Sequence, residues 1–176
     1  MYKAIYKTIV LGFLFSPVFL NGQTDISFEF QAYPTGLIPG ISIDKSISSR
    51  SDIYLRAGYN WIRHRDLGKH EDERGSGVGG SIGYKKYFRD GREGWRIGIK
   101  NDFWWNSIDW TEGNQKGNTK ITVVQPTAEL AYVIRKNEIV ISPSIAFGYE
   151  LNIKTEGEET GEGAILLVGV QLGKSF

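Results

Sequence analysis

The chain has 176 residues, with 21 basic and 20 acidic side chains, 22 glycines, 13% aromatics and no cysteine. That length supplies a single domain. Interspersed, nearly balanced charge excludes a dedicated nucleic-acid binder, which concentrates cations on one face, and the missing cysteine excludes thiolate zinc sites, disulfides, thiol catalysis and a lipid-modified N-terminal cysteine. Glycine and aromatics stand above ordinary usage although mean hydropathy is negative, a mixture that points to a β protein.

Residues 1–22 carry Lys3 and Lys7, the apolar run Ile9 to Leu20, and then Asn21-Gly22. This is the pattern of a secretory signal peptide. The run is too short to cross a ~30 Å hydrocarbon layer as a helix, and no stop-transfer pattern follows it. Cleavage is expected near Gly22 or Gln23, leaving a domain over 23–176; without Lys3 and Lys7 the 21 basic residues fall to 19, against 20 acidic.

Beyond Gln23, apolar residues recur at every second position rather than at helical spacing. The first expected strand, Asp25 to Tyr33, sets Ile26, Phe28, Phe30 and Ala32 against Ser27, Glu29 and Gln31. The second sets Leu37, Pro39, Ile41 and Ile43 against Gly40, Ser42 and Asp44, before a turn over 48–52. The third opposes Ile53, Leu55, Ala57, Tyr59 and Trp61 to Tyr54, Arg56, Gly58 and Asn60, and a long polar loop is expected over 63–77. In the fourth, Val78, Ile82 and Tyr84 face away from Gly79, Ser81, Gly83 and Lys85, and a compact turn follows over 89–94.

The fifth expected strand sets Trp95, Ile97, Ile99, Phe103 and Trp105 against Arg96, Gly98, Lys100 and Asp102, and leads to a second polar loop over 111–120. The sixth carries Val124, Ala128, Leu130, Tyr132 and Ile134 opposite Gln125, Thr127 and Glu129, with a short turn over 135–138. In the seventh, Ile139, Ile141, Ile145, Phe147, Tyr149 and Leu151 alternate with Ser142, Ser144, Gly148, Glu150 and Asn152. A glutamate-rich loop over 154–163 precedes the eighth, where Leu166, Val168, Val170, Leu172 and Phe176 oppose Gly169, Gln171, Gly173 and Ser175. Pro39, Pro126 and Pro143 fall within these strands, where a missing N–H predicts bulges or strand ends.

Compact turns and longer loops alternate along the chain, so the two kinds fall at opposite ends of the sheet, an asymmetry of transmembrane barrels. Aromatics near the strand ends suggest two interfacial girdles. The outer one would comprise Tyr33, Tyr59, Trp61, Phe103, Trp104 and Trp105, and the inner one Tyr84, Tyr87, Trp95, Tyr132 and Phe176. The fold class expected is all-β, an eight-stranded antiparallel up-and-down transmembrane β-barrel.

With these features the chain resembles the small eight-stranded outer-membrane barrels of Gram-negative bacteria, the OmpX-like and OmpW-like proteins. The most specific piece is the C-terminus from Val168 to Phe176, whose Val170, Leu172 and terminal Phe176 look like the signal read by the outer-membrane barrel assembly machinery. The resemblance implies residence in the cell outer membrane, and contacts with lipid including lipopolysaccharide, with a neighbouring membrane protein or with an extracellular ligand. No cofactor is expected, and the balanced charge leaves no nucleic-acid partner expected either.

Eight strands leave an interior that side chains fill, which disfavours an open pore. Strand parity places Glu29, Asp44, Arg56, Lys85, Arg96, Lys100, Asp102, Glu129 and Glu150 there, as an ion-paired network. An enzyme that modifies lipid A is the alternative function. It would need a histidine near a carboxylate and a nucleophile, but His64 and His70 are the two histidines and neither lies in a recognisable catalytic motif. The run His70-Glu71-Asp72 lacks metal-ligand spacing, and the acidic loop lacks calcium-loop spacing. A third reading is a soluble periplasmic lipocalin-like binder with its apolar face inward.

Overall fold

The computed structural model describes residues 22–65 and 69–176. Apart from Gly22, the expected signal peptide lies outside the described residues. Eight strands follow one another in chain order: β1 (Thr24–Tyr33), β2 (Gly36–Ser48), β3 (Ser51–Arg63), β4 (Asp72–Tyr87), β5 (Gly94–Glu112), β6 (Gln115–Lys136), β7 (Ile139–Glu156) and β8 (Gly163–Ser175). Each pairs antiparallel with its sequence neighbours, and β8 returns to β1, so the sheet closes into a barrel. At the seam the Thr24 N–H donates to the Phe176 carbonyl at 3.0 Å and the Phe176 N–H to the Thr24 carbonyl at 2.8 Å, which ties the last residue into the closure.

Closure leaves no free edge, so every strand has one inward and one outward face. The outward face is apolar: Phe28, Ile41, Leu55, Val78, Ile99, Phe147 and Val168 are all exposed. The inward face carries the buried polar and charged side chains. This polarity is the inverse of a soluble barrel.

The two ends differ less than the sequence suggests, since two of the four connections at one end are two-residue turns like those at the other. Residues 49–50, 88–93 and 137–138 connect strands at the end where β1 starts and β8 finishes, here the terminal end. Residues 34–35, 64–71, 113–114 and 157–162 connect them at the opposite, loop end. The loop expected over 111–120 is instead a hairpin: β5 and β6 stay in register to the pair Glu112↔Gln115 around a two-residue turn, with Gly113 in the left-handed region at φ 54°. Both of its faces are largely polar, so hydrophobic alternation gave no sign of it. The other two loops are also shorter than expected, because β4 begins at Asp72 and β7 runs to Glu156.

The three prolines neither end strands nor shift register. Pro39 keeps its pairing with Phe30 on β1, Pro126 with Asn101 on β5, and Pro143 with Val170 on β8. Each interrupts only the ladder on its other side: the β2–β3 ladder skips from Leu37↔Trp61 to Gly40↔Gly58, and the β6–β7 ladder skips from Val124↔Leu151 to Thr127↔Gly148 and from Ala131↔Ser144 to Ile134↔Ile141. A ring nitrogen cannot donate, so the strand turns that nitrogen toward one neighbour and leaves the other ladder whole. The register shifts lie elsewhere, at Ser46/Ser48 and at Thr122/Val123.

Because two of the three interruptions share the β6–β7 seam, that seam opens locally more easily than an unbroken one. Hydrogen exchange on the folded protein in detergent should show amides that bond across the β6–β7 seam, Tyr149 among them, exchanging faster than those of Ile97 to Phe103 in the continuous β4–β5–β6 ladders. Equal protection would refute this.

Candidate functional site

The interior is built in three layers, each set by which residues the strands turn inward. In the middle layer Arg56 Nη1 on β3 lies 2.8 Å from Glu29 on β1, and both side chains are almost wholly buried. Glu29 also accepts from the Tyr54 hydroxyl at 2.8 Å and from Gln171 Nε2 on β8 at 2.7 Å. Lys85 on β4 pairs with Asp44 on β2 at 2.6 Å, its ammonium 3.9 Å above the Tyr54 ring. Arg96 on β5 pairs with Glu129 on β6 at 2.8 Å, and Lys100 with Asp102 at 3.2 Å. Gln171 links these units, accepting from Arg96 at 3.2 Å and donating to Ser42 at 3.1 Å. Gln31 accepts from both Arg56 and Lys100.

The structure thus brings eight of the nine expected interior charges into one layer as four acid–base pairs. Glu150 stands apart, near the loop end, where Arg65 approaches it at 3.5 Å. Each pair joins groups that would be costly to bury alone.

Above this layer, toward the loop end, the interior turns apolar. Tyr33, Ile38, Ile62, Trp104, Ile108, Ile121, Val123, Ala146, Ile165 and Leu167 form one buried cluster. Two expected girdle members belong to it: Tyr33 and Trp104 point inward, Tyr33 donating to Asn60 at 2.7 Å and Trp104 lying with its ring 5.4 Å from the Arg56 guanidinium carbon. Tyr87, expected in the inner girdle, is likewise buried, in a smaller cluster with Val133 and Val140. The reason is parity. Tyr33 falls in step with Glu29 and Gln31, Trp104 with Lys100 and Asp102, and Tyr87 with Lys85. Trp104 also needs room, which Gly79 provides: a Cβ there would lie 2.3 Å from the Trp104 ring.

Tyr59, Trp61 and Trp105 do face outward near the loop end, with Tyr59 and Trp61 edge to face at 5.6 Å, and Phe103 is half-buried. Trp95 and Tyr132 form a matching edge-to-face pair at 5.2 Å near the terminal end. Leu172 and Phe176 are exposed, and Val170 pairs with Phe30 across the closing seam.

The third layer closes the terminal end. Arg92, in the β4–β5 turn and in the left-handed region at φ 59°, bends back into the barrel. It donates to Asp52 at 2.8 Å from both Nε and Nη2, to Asp25 at 3.0 Å and to Gln23 at 2.9 Å. Arg135 joins from β6, donating to Asp25 at 2.5 Å and to the Arg92 carbonyl at 2.8 Å. Burial alone would lower the Arg92 pKa, but the Asp52 and Asp25 carboxylates overcome that and raise it. Sequence reasoning placed Arg92 in an ordinary turn. Its left-handed backbone, which aims the side chain inward, leaves no mark on a hydropathy pattern.

At the loop end, His70 Nδ1 lies 2.7 Å from Glu73 and Nε2 3.3 Å from Glu158, while its ring stacks on Trp110 at 4.6 Å. This imidazole therefore clasps the β3–β4 loop to the β5–β6 hairpin and the β7–β8 loop. Arg65 adds hydrogen bonds to Asn152 at 3.2 Å and to the Gly161 carbonyl at 3.3 Å. His64 is half-exposed, with Asp72 at 3.9 Å. Among the described residues neither imidazole has a hydroxyl as hydrogen-bond partner, and no group of three or more His, Asp or Glu side chains converges as metal ligands.

Architecture and interior together define a class: the fold is that of small eight-stranded outer-membrane β-barrels. Among solved structures, the N-terminal β-barrel domain of Pseudomonas aeruginosa OprF is similar with a TM-score of 0.56 and 15% identity, covering 89% of this chain and 100% of that one. The attachment invasion locus protein Ail of Yersinia pestis, solved in complex with the heparin analogue sucrose octasulfate, is similar with a TM-score of 0.56 and 8% identity, over 88% of this chain and 99% of that one. No protein-family model matches the chain, and no curated protein matches it in sequence.

Two measurements test this geometry. Arg56→Met strands the buried Glu29 carboxylate and should cost about 3–5 kcal/mol of stability in urea, whereas Glu29→Gln with Arg56→Met together should recover most of that loss. A double variant as unstable as the single one would show that the pair is not the unit.

The hydrogen bond that His70 donates to Glu73 leads in raising the His70 pKa; burial opposes it, and the charges of Glu73 and Glu158 add to it. A raised folded-state pKa means that the clasp contributes fully below the unfolded value near 6.5 and is lost as pH rises through the higher folded value. Limited proteolysis of the β3–β4 loop should therefore accelerate on going from pH 6 into the alkaline range, and His70→Gln should flatten that dependence. An unchanged profile in the variant would exclude His70 as the clasp.

Proposed function

We propose that the chain is an integral outer-membrane barrel of structural or interactive role, its interior closed to solutes and its loop end facing outside the cell. The observation that carries this is the inverted polarity: a continuous exposed apolar surface encloses charges that are paired with one another. In water that surface would be costly, and in a bilayer it is the ordinary outer face of a spanning barrel. A lipocalin-like binder needs the reverse. Backbone pairing all the way round the sheet meets the demand that hydrocarbon makes on a spanning segment.

Closure to solutes is supported by the layers: paired charges at the middle, an apolar cluster above them, and Arg92 with Arg135 across the terminal mouth. The surfaces left for interaction are the lipid-facing belt and the loop end, which fits partnership with lipid including lipopolysaccharide, or with a neighbouring membrane protein. The barrel assembly machinery would read Val170, Leu172 and Phe176.

In cell fractions the protein should sediment with the outer membrane and shift its mobility on SDS gels between unboiled and boiled samples. Reconstituted in planar bilayers, it should give no steady conductance. A soluble periplasmic band without a heat shift would overturn the membrane reading, and a stable open channel would overturn the closed interior.

A further inference from the structure

On the outer surface, immediately beyond Trp105 toward the loop end, β5, β6 and β7 form a concavity of about 300 Å³. Lys120, Lys154, Thr122, Ser107 and Glu156 line it together with the Trp105 ring. Ladder register explains the grouping: Trp105 stands opposite Thr122, Thr122 opposite Lys154, Ser107 opposite Lys120, and Lys120 opposite Glu156.

Lys154 reaches this face only because of a bulge. Asn152 faces the interior, and strict alternation would send Lys154 there too. The one-residue shift at Thr122/Val123, where Val123 pairs with Asn152 but Thr122 with Lys154, turns the lysine outward instead. Bulges are a device for re-aiming a side chain. Here the result is two ammonium groups in one pocket with a single carboxylate. Glu156 pairs with Lys154 at 2.6 Å and also lies within the field of Lys120 opposite it, so one carboxylate is shared between two cations.

Depth identifies the occupant. Trp105 is 58% exposed on the lipid-facing side and, with Trp61 and Tyr59, marks where hydrocarbon gives way to headgroups. Thr122 and Lys154 stand level with Trp105 in the ladders, and Ser107, Lys120 and Glu156 one step beyond, so the pocket lies where hydrocarbon passes into the headgroup layer. We propose that this pocket binds a phosphomonoester group of the outer-leaflet glycolipid, with Lys120 and Lys154 as its cations and the Thr122 and Ser107 hydroxyls beside them. Trp105 then packs against the first part of the lipid's acyl region. The proposal rests on the membrane reading above and gives it one specific lipid contact.

The test uses the purified, refolded barrel in detergent, with the heat shift on SDS gels confirming the fold of every variant. Native mass spectrometry reads retention of lipid A bearing its phosphates, of the same lipid dephosphorylated, and of phosphorylated lipid A challenged with millimolar inorganic phosphate. The parent should retain the phosphorylated lipid preferentially, and inorganic phosphate should not displace it. Lys120→Gln with Lys154→Gln should weaken retention roughly 30-fold, the expectation for two cations at a membrane surface, and Glu156→Gln should strengthen it about fivefold. Lys136→Gln, exposed at the other end of β6, should behave as the parent. Undiminished retention by the double variant, equal retention of the dephosphorylated lipid, weakened retention by Glu156→Gln, or displacement by inorganic phosphate alone, which marks a site for the free anion, would each overturn the proposal. Because no cell fractionation enters this experiment, it can fail while the membrane reading stands.

Discussion

Eight strands closed on themselves leave an interior that side chains alone can fill, and this geometric limit governs the rest of the molecule. A charge placed in such an interior has no water to solvate it, so it must meet its opposite within the reach of a side chain. Glu29 with Arg56, Asp44 with Lys85 and Glu129 with Arg96 meet that condition at 2.8, 2.6 and 2.8 Å. Each pair joins different strands, so the electrostatics brace the barrel across its width while the ladders hold it along its wall. Gln171 uses both hydrogen-bonding capacities of its amide, accepting from Arg96 and donating to Glu29, and the Gln31 carbonyl oxygen accepts from Arg56 and Lys100, so each connects one ion pair with the next. A polar interior of this kind rewards one arrangement of eight strands, since a one-residue slip would bring every charge to the outer face.

How much of this was legible beforehand follows from what strand periodicity can carry. Alternation identified eight strands and sorted Glu29, Arg56, Lys85, Arg96 and Glu129 inward, because a period of two places residues on faces without reference to any partner. Grouping aromatics by nearness to a strand end failed for Tyr33, Tyr87 and Trp104, whose parity already set them with the interior charges. The inward apolar layer was missed for a related reason. Leu37-Ile38, Trp61-Ile62 and Leu166-Leu167-Val168 place apolar residues at adjacent positions, and a run apolar on both faces is itself the signal that the interior has changed character there. The β5–β6 hairpin lacked any such signal, being largely polar on both sides beyond Trp105. Which acid meets which base was also beyond reach, since pairing depends on register between strands and on side-chain length.

The two ends of the barrel are closed by different chemistry. At the terminal end Arg92 and Arg135 share Asp25, and Asp52 holds Arg92 through two donors. Arginine stays charged at any pH the protein will meet, so this closure is permanent so long as the carboxylates are ionised. At the loop end the corresponding role falls to His70 between Glu73 and Glu158, a cation whose charge can be withdrawn. The fixed closure lies beside the chain termini and the barrel's closing seam, and the adjustable one lies where three connections converge.

The same contrast between rigid wall and adjustable margin accounts for the bulge near the loop end. Within the span, a shift in register would send charges into lipid and apolar side chains into the charged interior, and there the ladders keep register even past Pro126 and Pro143. At Thr122/Val123 the strands have reached the aromatic girdle, and an extra residue no longer has that consequence. It exposes Ile153 and Lys154 together, one apolar and one cationic, at the level where an outer surface passes from hydrocarbon to headgroup. A bulge is thus tolerated at the first level where turning a lysine outward costs little, and it sets that lysine beside Trp105, Thr122 and Lys120.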